Sequence, residues 1–272
     1  MISPLFANRL HQRSLTLKTC ARQRVVAVEG SAESLITRRY RPSHPTHRSP
    51  RVSSAAIFKD VKGCTAAEGE KCGTDFVPYF LSPKLAESPK GLEDQCKLFV
   101  GQLKCAEGFG TKCLDGLPKG VVLLMVRAAL DEYNSVCNTT SPRHKEYLDS
   151  IKCINKAGPS VQTCMKAMFV SLHRASGAPD RQQIPYSCCY YHDFVDCAEK
   201  ALTTNCNLPA STKFFNEIIE HVFGEVLNLA CSKYKKGTGA CESLAPLSTK
   251  NDHKARDKGF IEPLAIIAGK LG

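Results

Sequence analysis

The chain has 15 cysteines in 272 residues, which constrains its fold more than any other feature. Cysteines at this density are typical of chains that fold in an oxidising compartment. No pair has Cys-x-x-Cys spacing, which argues against zinc ribbons and thioredoxin-type redox sites. Cys20 lies far upstream of the rest, and the other 14 predict seven disulfides whose pairing stays open. The predicted disulfide cysteines are Cys64, Cys72, Cys96, Cys105, Cys113, Cys137, Cys153, Cys164, Cys188, Cys189, Cys197, Cys206, Cys231 and Cys241.

The formal net charge of +11 is unevenly distributed along the chain. Residues 1–55 contain ten Lys and Arg against two acidic residues and so carry +8, while the remaining residues carry only +3. A protein that binds nucleic acid would carry its positive charge on a folded surface. We therefore expect no nucleic-acid partner.

The composition of residues 1–55, rich in Arg and Ser and lacking an apolar run, is not that of a secretory signal peptide. It predicts a disordered basic segment, either a presequence or translated sequence that replaced the true signal peptide through a gene-model error. The cysteine-rich body favours the second explanation and an extracellular, secreted protein. The alternative is the mitochondrial intermembrane space, whose proteins use twin Cys-x9-Cys pairs. Only Cys231 and Cys241 have that spacing, and two glycines interrupt it.

From about Ala56 the hydrophobic periodicity is helical almost throughout. Apolar residues at three- and four-residue steps from Leu92 to Leu103 form one stripe. The segment 121–130 is apolar nearly all round, which predicts a central buried helix too short to cross a membrane. The sequence therefore predicts an all-α, disulfide-rich bundle of roughly five to seven helices. Residues 56–272 form a single domain in this interpretation, and its tail, 246–272, either docks or stays loose.

Several helix boundaries can be predicted from capping residues. Ser141-Pro142 is a favourable start, with an N-cap followed by proline, and Gly158-Pro159 is a typical end. A helix is also expected over 186–204. The longest predicted helix follows Pro209 and has apolar residues in pairs at every fourth position.

The segment CCYYHDFVDC, residues 188–197, resembles the catalytic helix of secreted phospholipases A2. In that family the residues matching His192 and Asp193 are the general base and a calcium ligand. Here Cys197 follows His192 by five residues instead of three, which moves its sulfur about 200° around a helix. The glycine-rich calcium loop is also missing upstream. We therefore treat His192 and Asp193 as weak catalytic candidates and expect no enzyme, no metal and no cofactor.

A structural interpretation explains the same segment better. Cys188 and Cys189 point about 100° apart on a helix, so they should form disulfides with two different partners. The helix then acts as a cross-linked element, and the His-Asp pair is an ordinary polar feature at its edge.

Asn138-Thr139-Thr140 is the only Asn-x-Ser/Thr sequon in the chain. It directly precedes the predicted helix start at Ser141-Pro142, so we expect it in a surface turn. Because the cysteine content indicates secretion, Asn138 is a predicted glycosylation site.

Four stretches carry a family resemblance: CKLFVGQLKCAEGFGTKC, CINKAGPSVQTC, the Cys188-Cys189 doublet followed by Cys197, and LACSKYKKGTGAC. Over roughly residues 90–245 the chain resembles arthropod secreted proteins of the 27 kDa haemolymph glycoprotein type. It is also similar to the cysteine-rich helical extracellular domains of nematodes. The resemblance implies a secreted, all-helical, disulfide-rich protein of body fluid and implies no catalytic residues.

These observations predict a secreted, non-enzymatic protein of extracellular fluid, such as haemolymph or saliva, without a membrane span. It would act by binding an extracellular protein or a hydrophobic small molecule. One alternative is a carrier whose inter-helical cavity is lined by residues such as Val122, Met125, Phe215 and Val222. The other is a phospholipase A2-like hydrolase that uses His192.

Overall fold

The computed structural model describes residues 57–271 except 236, 256–258 and 260. The predicted basic segment 1–55, including Cys20, lies outside the described residues.

Within this part of the chain the structure has eight α-helices and no strand, so the predicted all-α, disulfide-rich class is confirmed. Five of the helices are long and form the body. None of the helices in the described ranges is long and apolar enough to cross a membrane. The helices are α1 (Ala66–Glu70), α2 (Pro89–Cys113), α3 (Gly116–Cys137), α4 (Pro142–Ser176), α5 (Gln183–Asn205), α6 (Pro209–Ala230), α7 (Asp252–Ala255) and α8 (Ile261–Ala268).

Serine caps followed by proline start two of the long helices. The Ser141 side chain accepts a hydrogen bond from the Arg143 backbone N–H, and Pro142 occupies the first turn. Ser88 caps α2 in the same way ahead of Pro89. Proline is tolerated there because the first N–H groups of a helix have no intrahelical acceptor. The predicted start of α4 is confirmed.

The long helices pack as antiparallel neighbours. Only Leu114 and Asp115 separate α2 from α3, and a disulfide from Cys96 to Cys137 joins the start of α2 to the end of α3. Cross-links between α4 and the α5 region run in opposite order along the two helices, as antiparallel packing requires. The main hydrophobic core takes residues from α2 to α6. The predicted stripe on α2 is confirmed, since Leu92, Cys96, Phe99 and Leu103 are buried.

The predicted helix end at Gly158-Pro159 is wrong, because α4 continues through it for 35 residues. Proline inside a helix removes one backbone hydrogen bond and costs about 3 kcal/mol. Packing offsets this cost, since Ala157 and Val161 on either side are fully buried. A Cβ atom at Gly158 would lie 1.9 Å from the Pro83 carbonyl oxygen, so the glycine is needed for a close approach.

Two other predictions about helices need correction. The helix expected to be buried all round is amphipathic, because α3 buries Val121 and Leu123 but leaves Leu124 40% exposed. The longest helix of the described residues is α4 with 35 residues, not α6 with 22.

The tail after Pro246 packs against the body at the residues that the structure describes. Helix α8 buries Pro263, Ala265 and Ile267. Further upstream in the tail, the Arg174 guanidinium donates two hydrogen bonds to the carboxylate of Asp252, each 2.7 Å long.

Candidate functional site

Seven disulfides pair all 14 cysteines of the described body, in two separate groups. Three bridges lie within residues 64–137, here called the amino-terminal disulfide unit. Four lie within residues 153–241, the carboxyl-terminal disulfide unit. The bridges are Cys64–Cys113, Cys72–Cys105, Cys96–Cys137, Cys153–Cys206, Cys164–Cys197, Cys188–Cys231 and Cys189–Cys241.

The cysteine doublet on α5 joins two different partners, as helix geometry predicts. Cys188 pairs with Cys231 at the end of α6, and Cys189 pairs with Cys241 in the following loop. Cys197 on the same helix pairs with Cys164 on α4. Helix α5 is therefore covalently attached on several sides.

His192 and Asp193, the two weak catalytic candidates, occupy adjacent positions of α5. The His192 ring is half-buried, and its Nε2 atom has no hydrogen-bond partner among the described residues. Asp193 is exposed. The pKa of its carboxyl is raised mainly by partial desolvation and, to a lesser extent, by the negative charge of Asp196. Over the ranges that the structure describes, no cluster of three or more His, Cys, Asp or Glu side chains could hold a metal ion.

Asn138, the predicted glycosylation site, ends α3 and is exposed. Its side-chain oxygen accepts hydrogen bonds from the Thr140 backbone N–H at 3.1 Å and from the Thr140 hydroxyl at 2.9 Å. The amide and the hydroxyl of the sequon therefore lie together in a solvent-facing turn.

The residues proposed to line a carrier cavity are not brought together. Phe215 belongs to the main core, Val122 to a cluster beside Cys64 and Cys113, and Val222 to a third cluster. Met125 is half-buried on α3. Side-chain type alone cannot tell which of several hydrophobic clusters a helical residue joins.

Residues 75–86 form an irregular segment that is held by side chains of neighbouring helices. Asn155, only 4% exposed, uses all of its hydrogen-bonding capacity on this region. Its Oδ1 accepts from the Tyr79 hydroxyl and the Leu85 N–H, both at 3.0 Å. Its Nδ2 donates to the Leu85 carbonyl at 2.8 Å and to Glu87 at 2.9 Å.

Side chains of three helices satisfy other backbone groups of the 75–86 segment. Because backbone N–H and C=O groups must be paired when they leave water, these contacts hold the segment in one conformation. Tyr79 within it is buried and has a φ of 60°, a region that non-glycine residues rarely adopt. The partners are Gln95 and Gln102 on α2, Tyr133 on α3, and Tyr147 and Gln162 on α4.

A cleft of about 330 Å³ opens between the 75–86 segment and α2. Its walls are mainly apolar, and Leu81 and Leu98 on it are 56% and 49% exposed. Polar side chains stand among them, including two carboxylates and one ammonium group. The lining residues are Asp75, Val77, Tyr79, Leu81, Ser82, Lys84, Leu85, Asp94, Gln95, Leu98 and Phe99.

Sequence reasoning missed this cleft, although α2 carried a signal for it. Leu98 lies about 140° around the helix from the buried stripe, on the face where polar residues are expected. The 75–86 segment gave no such signal, because its path depends on Asn155, about 70 residues away.

A second buried polar centre joins α3, α4 and α6. The Glu132 carboxylate, 5% exposed, accepts a hydrogen bond from the Arg143 Nε at 2.7 Å and contacts the His221 Nδ1 at 2.8 Å. The Arg143 guanidinium also lies over the Phe214 ring, 4.4 Å from its centroid. A buried carboxylate needs such partners, because an unpaired charge in the interior is costly.

No family model, no curated protein and no solved structure matches this chain.

Proposed function

We propose that this protein is secreted, is not an enzyme, and acts in extracellular fluid by binding. The observation that carries the proposal is the set of seven disulfides, which cross-links the described body from Cys64 to Cys241. Disulfides at this density persist in oxidising compartments and are reduced in the cytosol. An open cleft with apolar walls supports binding as the mode of action.

The test is peptide mass analysis of the natural protein after thiol alkylation, with and without prior reduction. We expect the cysteines between Cys64 and Cys241 to be alkylated only after reduction. Alkylation of several of them without reduction would contradict folding in an oxidising compartment, and the proposed secretion with it.

We further propose that Asn138 carries an N-linked glycan. Its exposure and the hydrogen bond from the Thr140 hydroxyl support this assignment. Secretion from a eukaryotic cell line followed by treatment with peptide-N-glycosidase should lower the apparent mass, and Asn138→Gln should remove that change. If the secreted protein already has the mass expected from its sequence before glycosidase treatment, the proposal is contradicted.

The cysteine spacing also supports membership of the haemolymph glycoprotein type. The supporting stretches are residues 96–113, residues 153–164, the Cys188-Cys189 doublet followed by Cys197, and residues 229–241. Recovery of the protein from cell-free body fluid of its source, and not from cells, is the expected result.

A further inference from the structure

We propose that the cleft between the 75–86 segment and α2 is the binding site for a small amphipathic molecule. The ligand has an apolar body and a head group that donates hydrogen bonds, such as an amine or a hydroxyl. The inference rests on the proposed action by binding and names its site and ligand class.

The size of the cleft decides between a small molecule and a protein partner. Ligand pockets commonly measure about 300–1,000 Å³, and the cleft, at about 330 Å³, lies at the lower end of that range. A helix with its side chains is about 10–12 Å across and would not fit in this volume. The cleft therefore suits a compound with a short chain or one or two rings.

The walls provide an apolar surface that water covers in the free protein. Leu81 on the irregular segment and Leu98 on α2 both line the cleft, and both are about half exposed. Burying a leucine side chain completely yields about 1.5–3 kcal/mol, so covering two half-exposed leucines is a useful driving force. Val77 and Leu85, both half-buried, extend the apolar lining.

The polar groups of the cleft favour a hydrogen-bond donor on the ligand. Asp75 and Asp94 provide carboxylates, and Lys84 provides one ammonium group. One oxygen of Asp75 accepts from Gln102 at 2.6 Å, and one of Asp94 pairs with Lys90 at 3.1 Å. A carboxylate has about four acceptor positions, so both residues retain acceptor capacity. Because Lys90 already offsets the charge of Asp94, the free acceptor positions of the two carboxylates, more than net charge, favour a head group that donates hydrogen bonds.

The cleft is also preorganised, which reduces the conformational entropy that is lost on binding. The 75–86 segment has few backbone hydrogen bonds of its own, yet side chains from α2, α3 and α4 hold it in place. Tyr79 keeps an unfavourable φ within this segment, and residues with such backbone strain cluster at functional sites.

The first experiment is a fluorescence titration of the full-length protein with N-phenyl-1-naphthylamine, an apolar probe of suitable size. We expect saturable binding, and we expect Leu98→Glu and Leu81→Glu each to weaken it about tenfold or more, equivalent to about 1.4 kcal/mol. Leu124→Glu is the matched control, because Leu124 is a similarly exposed helical leucine, 40% accessible, outside the cleft. It should leave the probe affinity unchanged.

Circular dichroism and the disulfide state of each variant show whether the substituted protein is folded. The two test leucines lie on different elements, so a folding defect in one variant leaves the other informative. Absence of saturable binding by the unsubstituted protein would overturn the proposal. Unchanged affinity in both folded cleft variants would do the same.

Competition with three matched eight-carbon compounds tests the head group. Octylamine and octan-1-ol should displace the probe at lower concentration than octanoate. Equal or better displacement by octanoate would overturn the assignment of a hydrogen-bond-donating head group. These results are independent of the alkylation test, so a failure of the site is distinguishable from a failure of the proposed secretion.

Discussion

Disulfides hold each of the two disulfide units together internally, whereas non-covalent contacts hold the two units to each other. The amino-terminal unit has three bridges and the carboxyl-terminal unit four, and none of these seven bridges joins one unit to the other. Across the boundary the structure relies on packing and on polar contacts, which include those of the buried residues Glu132 and Asn155 and a hydrogen bond from Gln162 to the Phe80 carbonyl.

Disulfides and buried polar contacts stabilise a fold in different ways. A disulfide acts mainly by restricting the unfolded chain, so its effect depends little on the side chains around it. A buried polar contact acts only in the folded state, and removing one partner leaves the other unpaired in the interior. Single substitutions at the boundary should therefore destabilise the protein by a substantial fraction of what the loss of one bridge costs.

The largest expected effect is the loss of one disulfide. We expect Cys164→Ala/Cys197→Ala and Cys96→Ala/Cys137→Ala, which open loops of sequence separation 33 and 41, each to reduce the free energy of unfolding by about 4 kcal/mol. Denaturant unfolding with the other disulfides intact is the measurement. A clear cost in one unit and none in the other would contradict the idea that the two units are stabilised in the same way.

Asn155→Ala tests the boundary at the 75–86 segment. It leaves the Tyr79 hydroxyl and both backbone groups of Leu85 without their partner, so we expect a loss of about 3 kcal/mol in the free energy of unfolding. The control is Asn216→Ala, which removes one hydrogen bond to Glu199 inside the carboxyl-terminal unit and should cost about 1 kcal/mol or less. Equal costs for the two variants would count against the special role of the boundary.

Glu132→Gln tests the second polar contact at the boundary. Arg143 keeps Glu146 and Glu217 as partners, so we expect a smaller loss of about 2 kcal/mol. Glu107→Gln is the control, because Glu107 pairs with an Arg127 side chain that is 62% exposed, and such pairs contribute about 0–1 kcal/mol. Thermal unfolding of both variants in low and high salt makes the comparison. A Glu132 variant as stable as the Glu107 variant would refute the prediction.

The smallest expected effect concerns tyrosine ionisation at alkaline pH. Desolvation, with a smaller contribution from Glu220, raises the pKa of Tyr191 in the carboxyl-terminal unit to about 12. Burial raises the pKa of Tyr79 at the boundary further still. A raised pKa in the folded state contributes stability below the unfolded value of about 10, and this contribution is lost as the pH rises through the folded value.

Tyrosinate absorbance measured during a rapid pH jump checks this prediction. The signal of Tyr191, assigned by comparison with Tyr191→Phe, should develop near pH 12 in the folded protein. Ionisation of Tyr191 near pH 10 in the folded protein would contradict its burial.

Local rules predicted much of the fold correctly. The stripe on α2, the cap at Ser141 and the divergent partners of Cys188 and Cys189 follow from helix geometry over a few residues. Such features depend on the identity of near neighbours in sequence, which a single chain displays directly.

Other features could not be predicted because distant residues determine them. Gly158-Pro159 looked like a helix end, but the glycine serves the approach of Pro83, and packing outweighs the cost of the proline. Asn155 and Glu132 are polar residues within helices, where exposure is the usual expectation. Nothing nearby in sequence indicates that each becomes a buried centre of hydrogen bonds.

The sequence by itself determined the class of this protein, because cysteine content and helical periodicity are properties of composition and local spacing. The tertiary structure decided which cysteines pair, where the 75–86 segment runs and where the cleft opens. These depend on contacts between groups far apart along the chain, such as the Tyr79 hydroxyl and the Asn155 side chain, whose separation is 76 residues. Their free energy is gained only when packing brings them together and excludes water.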